Sequence, residues 1–453
     1  MQYNLILNSI FNCFLYNSLE IFCVIGIILN FICYFIPKAK INTKRLSSLI
    51  TASSLILGLG FLFFNFLTSA TFINFKILSE NTIIFKIIVD ILMLFFVFGQ
   101  YRTVKKTGFD IIILNSLTLG ITFFSLFLLS FKNFIFTYLF LEIISFLIYK
   151  FSSLTEKEKE NVFSVEYILI SAFSSVLFLL FYVINIFIKN EMQNTIIQIA
   201  LMISYLLKIG FFPIFNYLIN DNKNNICYRL LFNCYFPFLG IISCGSLISI
   251  LNVKSEVFQL TILGFLLVCG IFYSIFAYRQ KNLEKYLAQC AYCLYCFPLI
   301  SLVLFPYGAE YFKMSALYAI SFFGLYSILT YIKSNSQYKI MNLQSIKGLF
   351  YNRLNLTILF IILTLMTLSA IPSGILTCLV DLEKNIFLKN NTYFLTVLAL
   401  ILFNILAFLG SLKFIQGCFK VTTKDPFYTK KGTNPNVVIP LLVIIFLLIK
   451  IFL

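Results

Sequence analysis

A chain of 453 residues that is 60% hydrophobic and only 11% charged carries more apolar surface than a water-soluble core can bury. The composition therefore excludes a soluble globular protein and indicates an integral membrane protein. The net charge of +17 does not imply nucleic-acid binding, because Lys and Arg in membrane proteins collect in loops and set the orientation of the chain.

The apolar runs divide the chain into about fourteen stretches of about 20 residues, the length of a helix that crosses a bilayer. In chain order these spans are 18–36, 46–68, 81–99, 108–131, 133–152, 163–188, 194–217, 226–251, 257–278, 286–305, 310–332, 354–388, 391–419 and 436–453. Residues 1–17 form an N-terminal extension before them. The sequence therefore predicts an all-α integral membrane protein.

Basic residues are distributed unevenly among the loops. The loops after odd-numbered spans are 37–45, 101–106, 155–161, 220–225, 279–285, 333–353 and 420–431. They hold about 21 Lys and Arg residues, against about 5 in the loops after even-numbered spans, which is the asymmetry of the positive-inside rule. The odd-numbered loops are therefore expected to face the matrix or cytoplasm, and both chain ends the opposite side.

Two of the spans are interrupted, the seventh at KIGFFP (208–213) and the twelfth at LSAIPSG (368–374). A proline frees backbone groups of a membrane helix, which is tolerated beside a protein-lined or water-filled cavity. Interrupted helices five spans apart are typical of two inverted repeats of five helices. The predicted organisation is spans 1–3 (18–99), a first repeat (108–251), a second repeat (257–419) and a last helix (436–453).

Lys208 lies inside the seventh span, where a charge is expensive and usually marks an ion or proton path. Glu142, inside the fifth span, is its natural partner. Burial favours the neutral form of each group and the opposite charge favours the ionised form, so small movements can transfer a proton. The alternative is a static ion pair that fixes helix packing.

Further charges follow the two interrupted spans. Asp381, Glu383 and Lys384 come after the twelfth-span break and are candidates for an outlet relay, unless the helix has already reached the membrane surface there. Arg229, near the start of the eighth span, is another relay candidate, with snorkelling of its long side chain to the interface as the alternative.

Three more charges lie in the first half of the chain. Glu166, at the head of the sixth span, is either a second acid or a charge favoured by the helix dipole. Asp90 lies inside the third span, and Lys86 is one helical turn away. We expect those two to form a local structural pair.

The run CAYCLYC places Cys290, Cys293 and Cys296 three residues apart, a spacing like that of iron–sulfur ligands. The run lies inside an apolar span, and the three positions move progressively around a helix. We interpret them as buried packing residues. The chain has no histidine, phosphate-binding glycine loop or nucleophile triad, so neither a metal nor a cofactor is expected.

Five segments in order resemble motifs of the antiporter-like subunits of respiratory complex I, and most of all its subunit 2, called subunit N in bacteria. They are FLEIISFLIY around Glu142, EYILISAFSS (166–175), LKIGFFPIF around Lys208, RQKNLEKYLAQCA (279–291) and TLSAIPSG (367–374). The resemblance covers about residues 18–453. It implies fourteen helices in two inverted repeats, with Glu142 and Lys208 on a hydrophilic axis.

The same resemblance implies proton translocation coupled to NADH oxidation and ubiquinone reduction elsewhere in the complex, with no redox chemistry or cofactor in this chain. The implied partners are other membrane-arm subunits and membrane lipids, with no nucleic acid. The implied location is the mitochondrial inner membrane, with the odd-numbered loops facing the matrix.

The chain departs from the family pattern at two relay positions. Phe238 and Val380 stand where the family has lysines in its eighth and twelfth helices, and Lys384, one turn after Val380, is a candidate substitute. These departures keep two alternatives open. One is a free-standing cation/proton antiporter or another antiporter-like subunit, and the other is a scaffold subunit that does not pump.

Overall fold

A computed structural model describes residues 17–35, 43–69, 80–104, 111–131, 133–155, 162–187, 191–211, 230–251, 255–306, 310–335, 354–370, 373–389 and 394–420. Within these ranges the chain forms fourteen α-helices and one π-helical segment, and no strand. Ten of the described helices are long and apolar enough to cross a membrane. The prediction of an all-α membrane protein is confirmed.

The helices follow the predicted spans closely. They are α1 (Ser18–Phe35), α2 (Thr43–Ser69), α3 (Glu80–Val104), α4 (Ile111–Ser130), α5 (Phe134–Thr155), α6 (Val162–Phe187), α7 (Glu191–Lys208), α8 (Phe236–Leu251, preceded by the π-helical Leu231–Tyr235), α9 (Glu256–Arg279), α10 (Leu283–Leu304), α11 (Glu310–Asn335), α12 (Leu354–Thr367), α13 (Gly374–Lys389) and α14 (Phe394–Phe419). The twelfth span is divided into α12 and α13, and α14 is the thirteenth. The predicted last span, 436–453, lies outside the described residues.

The chain divides into two compact units, residues 1–157 and 158–453. Unit 1 contains α1–α5, and unit 2 contains α6–α14. In unit 2 the central element is α10, whose span is buried along its whole length and packs against α9, α11 and α14. The division into repeats at 108–251 and 257–419 stays a prediction.

Unit 1 is held together by hydrogen bonds between buried side chains of three helices. Ser47 Oγ on α2 donates to Asn30 Oδ1 on α1 (2.8 Å), and Asn30 Nδ2 donates to Thr51 Oγ1 (2.9 Å). Asn115 Nδ2 on α4 donates to Ser47 Oγ (3.0 Å). Lipid gives helices no hydrophobic reason to associate, so such bonds and close packing fix the arrangement of α1, α2 and α4.

The predicted break in the seventh span is a regular helix C-terminus. Gly210 adopts a left-handed conformation with φ of 97°. The Phe211 N–H bonds to the Leu206 carbonyl (3.0 Å), and the Gly210 N–H bonds to the Leu207 carbonyl (3.1 Å). These two bonds form a Schellman motif, which satisfies carbonyls that the end of α7 would otherwise leave without partners.

The predicted break in the twelfth span has the same construction. Ser369 has φ of 53°. The Ala370 N–H bonds to the Leu365 carbonyl (2.9 Å), and the Ser369 N–H bonds to the Met366 carbonyl (3.1 Å). Both predicted breaks are therefore confirmed, and both have one left-handed residue three positions before a proline in the sequence.

The left-handed backbone conformation is unstrained at Gly210 but costs conformational energy at Ser369, so substitutions at the two positions should change stability in opposite directions. Gly210→Ala places a Cβ on a backbone that side chains avoid, and should lower the free energy of unfolding by about 1–2 kcal/mol. Ser369→Gly removes such a penalty and should raise it by up to about 1 kcal/mol. Both are measured as shifts of the unfolding midpoint of the purified chain in sodium dodecyl sulfate.

The matched control is Gly264→Ala in the middle of α9, where an added Cβ meets no atom within 4 Å. Alanine there should be neutral or slightly stabilising, because glycine weakens a helix interior. If Gly210→Ala behaves like Gly264→Ala, the strain assigned to the end of α7 is wrong.

Candidate functional site

Lys208 is the last residue of α7, and only 4% of its surface is exposed. Its ammonium Nζ donates to Ser175 Oγ on α6 over 2.6 Å. The carbonyl groups at a helix C-terminus carry partial negative charge, which favours a cation at this position. The break in α7 therefore both ends the helix and provides part of the electrostatic environment of the lysine.

The partner of Lys208 belongs to a serine cluster in the segment SAFSS. Ser175 Oγ donates to the Ser171 carbonyl (2.7 Å), and Ser174 Oγ donates to the same carbonyl (2.8 Å). Because the Ser175 proton is used within α6, its lone pairs are available to accept from Lys208. The resemblance included this segment, but sequence reasoning gave Ser175 no role, since serine is common in membrane helices and its partner lies 33 residues away.

Tyr205, one turn before Lys208, ties the end of α7 to α8. Its hydroxyl donates to the Gly240 carbonyl (2.9 Å) and is hydrogen-bonded to Ser243 Oγ. A Cβ at Gly240 would collide with the Ile209 side chain, so glycine is required where the two helices approach. The backbone that carries Lys208 is thus held against α8 immediately before and after the lysine.

The residues after Lys208 are held by α9 and α10. Tyr273 on α9 donates its hydroxyl to the Gly210 carbonyl (3.2 Å). The Phe211 ring packs edge-on against Tyr292 of α10, with centroids 5.6 Å apart. Three helices of unit 2 therefore define the position of the helix end, which is what a site needs in order to hold one side chain in place.

The start of α8 is irregular. The π-helical Leu231–Tyr235 leads into α8. Tyr295 of α10 donates its hydroxyl to the Cys234 carbonyl (3.0 Å), and Asn233 Nδ2 donates to the Tyr326 hydroxyl (3.2 Å). π-Helical turns occur often at functional sites. Arg229 lies outside the described residues, so its proposed relay role stays a prediction.

Phe238 is fully buried in α8, so the eighth-helix relay position has an apolar side chain in the interior. On α13, Val380 is 52% exposed, and Asp381 and Lys384 are also exposed, while Glu383 is half-buried. The three charges predicted as an outlet relay therefore lie toward the surface of this chain. Their proposed roles stay predictions.

The end of α12 carries a hydroxyl where α7 carries an ammonium. Thr367 is the last residue of α12, is buried, and donates its Oγ1 to the Leu363 carbonyl (2.6 Å). Beside it is a cavity of about 10 Å³ lined in part by Thr364, Cys290 and Tyr286. That volume is about the space one water needs. The second helix end is thus polar but uncharged.

Glu142 lies on α5 and is half-buried. Its backbone carbonyl accepts from Ser145 Oγ (2.8 Å). Glu142 belongs to unit 1 and Lys208 to unit 2, so the predicted pair stays a prediction. Glu166 lies within α6, but its side chain is outside the described part of the structure.

The CAYCLYC thiols are all buried in α10. Cys296 Sγ donates to the Tyr292 carbonyl within the helix (3.4 Å), and Cys293 Sγ points to the Gly270 carbonyl on α9 (3.8 Å). Among the described residues, no three His, Cys, Asp or Glu side chains are grouped as metal ligands. The cysteines contact neighbouring backbone, as small packing residues do.

The expected Lys86–Asp90 pair is wrong. Lys86 is fully buried and forms a 2.5 Å ion pair with Glu20 of α1 instead. Helical side chains tilt toward the N-terminus, so a lysine four residues before an aspartate extends away from it. Glu20 was missed because the predicted span began only two residues earlier, which placed it near a membrane surface.

Comparison with known proteins gives a structural match only. No family model and no curated protein matches the sequence. A chain of respiratory complex I from Thermus thermophilus, determined with bound aureothin, matches with a TM-score of 0.72 and 13% identity, covering 96% of each chain. A chain of the membrane-bound sulfane sulfur reductase, an archaeal respiratory membrane complex, matches with a TM-score of 0.77 and 12% identity, covering 96% of this chain and 93% of that one.

The molecule is therefore a multi-pass helical membrane protein with the fold of chains found in respiratory membrane complexes. Both matches cover nearly the whole chain, which agrees with the all-α membrane fold predicted from the sequence. At this level of identity the likeness concerns the fold, and the activity has to be argued from the residues.

Proposed function

We propose that this chain is the subunit-2-type, proton-translocating subunit of the membrane arm of respiratory complex I, in the mitochondrial inner membrane. It would act as part of NADH:ubiquinone reductase without redox chemistry of its own. The observation that supports this best is Lys208, a buried lysine at the broken end of a membrane helix. Such lysines occur where ions or protons move, and the fold is that of respiratory membrane chains.

The surroundings of Lys208 suit a group that gains and loses a proton. Ser175 accepts a hydrogen bond from the ammonium without adding a negative charge, so it supports the charged form less strongly than a carboxylate would. Burial opposes the charged form. The two effects oppose each other, and a carboxyl group such as Glu142 could shift the balance by approaching or withdrawing. Quinone reduction elsewhere in the complex would drive that change.

A second function, a scaffold subunit that does not pump, is favoured by the remaining relay positions. Phe238 is buried and apolar, Val380 is apolar and 52% exposed, and Lys384 is exposed on α13. A complete path across the membrane needs titratable groups or water at close intervals. A partner subunit covering α13 would have to complete the path near Lys384.

The proposal is tested by electrophoresis of mild-detergent extracts on native gels. Membranes of the source organism are solubilised, and the chain is detected with an antibody against one of its loops. We expect it to migrate with the band that oxidises NADH. Migration alone, at the size of a single 52.4 kDa chain in detergent, would indicate a free-standing antiporter and overturn the assignment.

A further inference from the structure

A second group of buried charges lies in unit 1, apart from Lys208. Its members are Glu20 on α1 and Lys86 and Asp90 on α3. Glu20 is 4% exposed, and the other two are fully buried. Lys86 Nζ and Glu20 Oε1 form the 2.5 Å ion pair, and Glu20 also lies in the first turn of α1, where the helix dipole favours a negative charge.

The charges in this group do not balance. Lys86 compensates Glu20, whereas both carboxylate oxygens of Asp90 have no hydrogen-bond partner among the described residues. Asp90 lies one turn after Lys86 on the same face of α3 and therefore belongs to the same buried group. A fully buried carboxylate without a partner costs several kcal/mol, so it does not remain an isolated anion.

In the described parts of α2 and α4, no buried side chain provides another counter-charge. Among the described residues α4 contributes only neutral side chains, and the Lys and Arg residues of α2 are exposed at its N-terminus. Cys23 of α1, one turn after Glu20, is also fully buried.

The second carboxylate oxygen of Glu20 is the complementary feature. Glu20 Oε2 is buried and has no hydrogen-bond partner within the described chain. A protonated Asp90 carries one O–H donor, and a carboxylate oxygen held in place by Lys86 is a strong acceptor. A protonated Asp90 would therefore supply the donor that Glu20 Oε2 lacks, and Glu20 would supply the acceptor that Asp90 lacks.

From this arrangement we infer that Glu20, Lys86 and Asp90 form a buried proton-binding site in unit 1, in which Asp90 holds one exchangeable proton directed to Glu20. The ion pair keeps Glu20 ionised as the acceptor. Loss of the proton from Asp90 would leave two buried carboxylates in a group that contains one ammonium, so the site favours the singly protonated form. This site does not depend on the proposed function of Lys208.

The test is infrared spectroscopy of the full chain purified in detergent at neutral pH, where carboxyl groups in water are ionised. Wild-type protein should show a carboxylic-acid C=O band that shifts on transfer to D₂O. Asp90→Asn should remove it, and Asp90→Glu should retain it at an altered frequency. Glu256→Gln, at an exposed position of α9, is the control that should leave the band intact.

Lys86→Gln provides a second readout if Asp90→Asn does not fold. Without its counter-charge Glu20 should also take up a proton, so the carboxylic-acid signal should grow. A band that persists unchanged in Asp90→Asn or Asp90→Glu overturns the inference. So does a band that appears only when Na⁺ and K⁺ are replaced by a large organic cation, because the site would then bind a metal cation.

Discussion

Complexes that contain Lys208→Met are expected to assemble and to lose proton pumping by roughly tenfold or more, because a lost relay group adds at least about 1.4 kcal/mol to the transfer barrier. Methionine matches the length and flexibility of the lysine stem, so α7 should keep its packing. The measurement is proton uptake by reconstituted vesicles per NADH oxidised. Glu142→Gln should have a similar effect if the two groups act together.

Ser175 provides a graded version of the same experiment. Ser175→Ala removes one hydrogen-bond acceptor of the Lys208 ammonium, a loss of about 1.5–3 kcal/mol for the charged form. Pumping should fall, but less than in Lys208→Met. Ser174→Ala is the matched control, because Ser174 is a similarly buried neighbour whose hydroxyl donates to the Ser171 carbonyl of its own helix.

Wild-type pumping in both Lys208→Met and Glu142→Gln would contradict the relay and leave the scaffold as the better function. Equal losses in Ser175→Ala and Ser174→Ala would mean that disturbed packing of α6, rather than the bond to Lys208, lowers activity. The two comparisons therefore separate the charge, its hydrogen bond and the packing of the helix that carries it.

The fold was largely predictable because bilayer thickness limits helix length and the exclusion of backbone polar groups from lipid makes proline breaks visible. Both breaks, at Gly210 and Ser369, lie where the sequence placed them. The burial of Lys208 was predictable from the same constraint, because apolar residues on both sides of it in the sequence place the side chain inside the membrane.

Partners across helices were not predictable in the same way. Ser175 accepts a hydrogen bond from Lys208 because the rotation of α6 and α7 about their own axes brings the two side chains together. A single sequence does not specify that rotation. The partner of Lys86 was predicted wrongly, because Asp90, a neighbour in sequence, was preferred over Glu20, which lies 66 residues away. The direction in which helical side chains tilt would have argued against Asp90.

Lys86→Met is expected to destabilise the chain by about 3–5 kcal/mol, because it leaves a buried carboxylate without its counter-charge. The effect should be seen as a large fall in the unfolding midpoint in sodium dodecyl sulfate. Lys413→Met is the control. Lys413 of α14 is partly exposed, and its hydrogen bond to the Tyr278 carbonyl and its contact with the Tyr278 ring, 3.8 Å from the centroid, should together contribute only about 1–2 kcal/mol.

The double variant Glu20→Met with Lys86→Met tests whether the stability lost in Lys86→Met comes from the unpaired Glu20 carboxylate. Removing both members of a buried ion pair is often neutral or stabilising, because neither charge has to be desolvated. We therefore expect the double variant to recover much of the stability lost in Lys86→Met, less about 1–3 kcal/mol because Asp90 loses Glu20 as its acceptor. No recovery would show that Lys86 stabilises unit 1 through contacts other than Glu20, and equal costs for Lys86→Met and Lys413→Met would show that the pair contributes little in the folded chain.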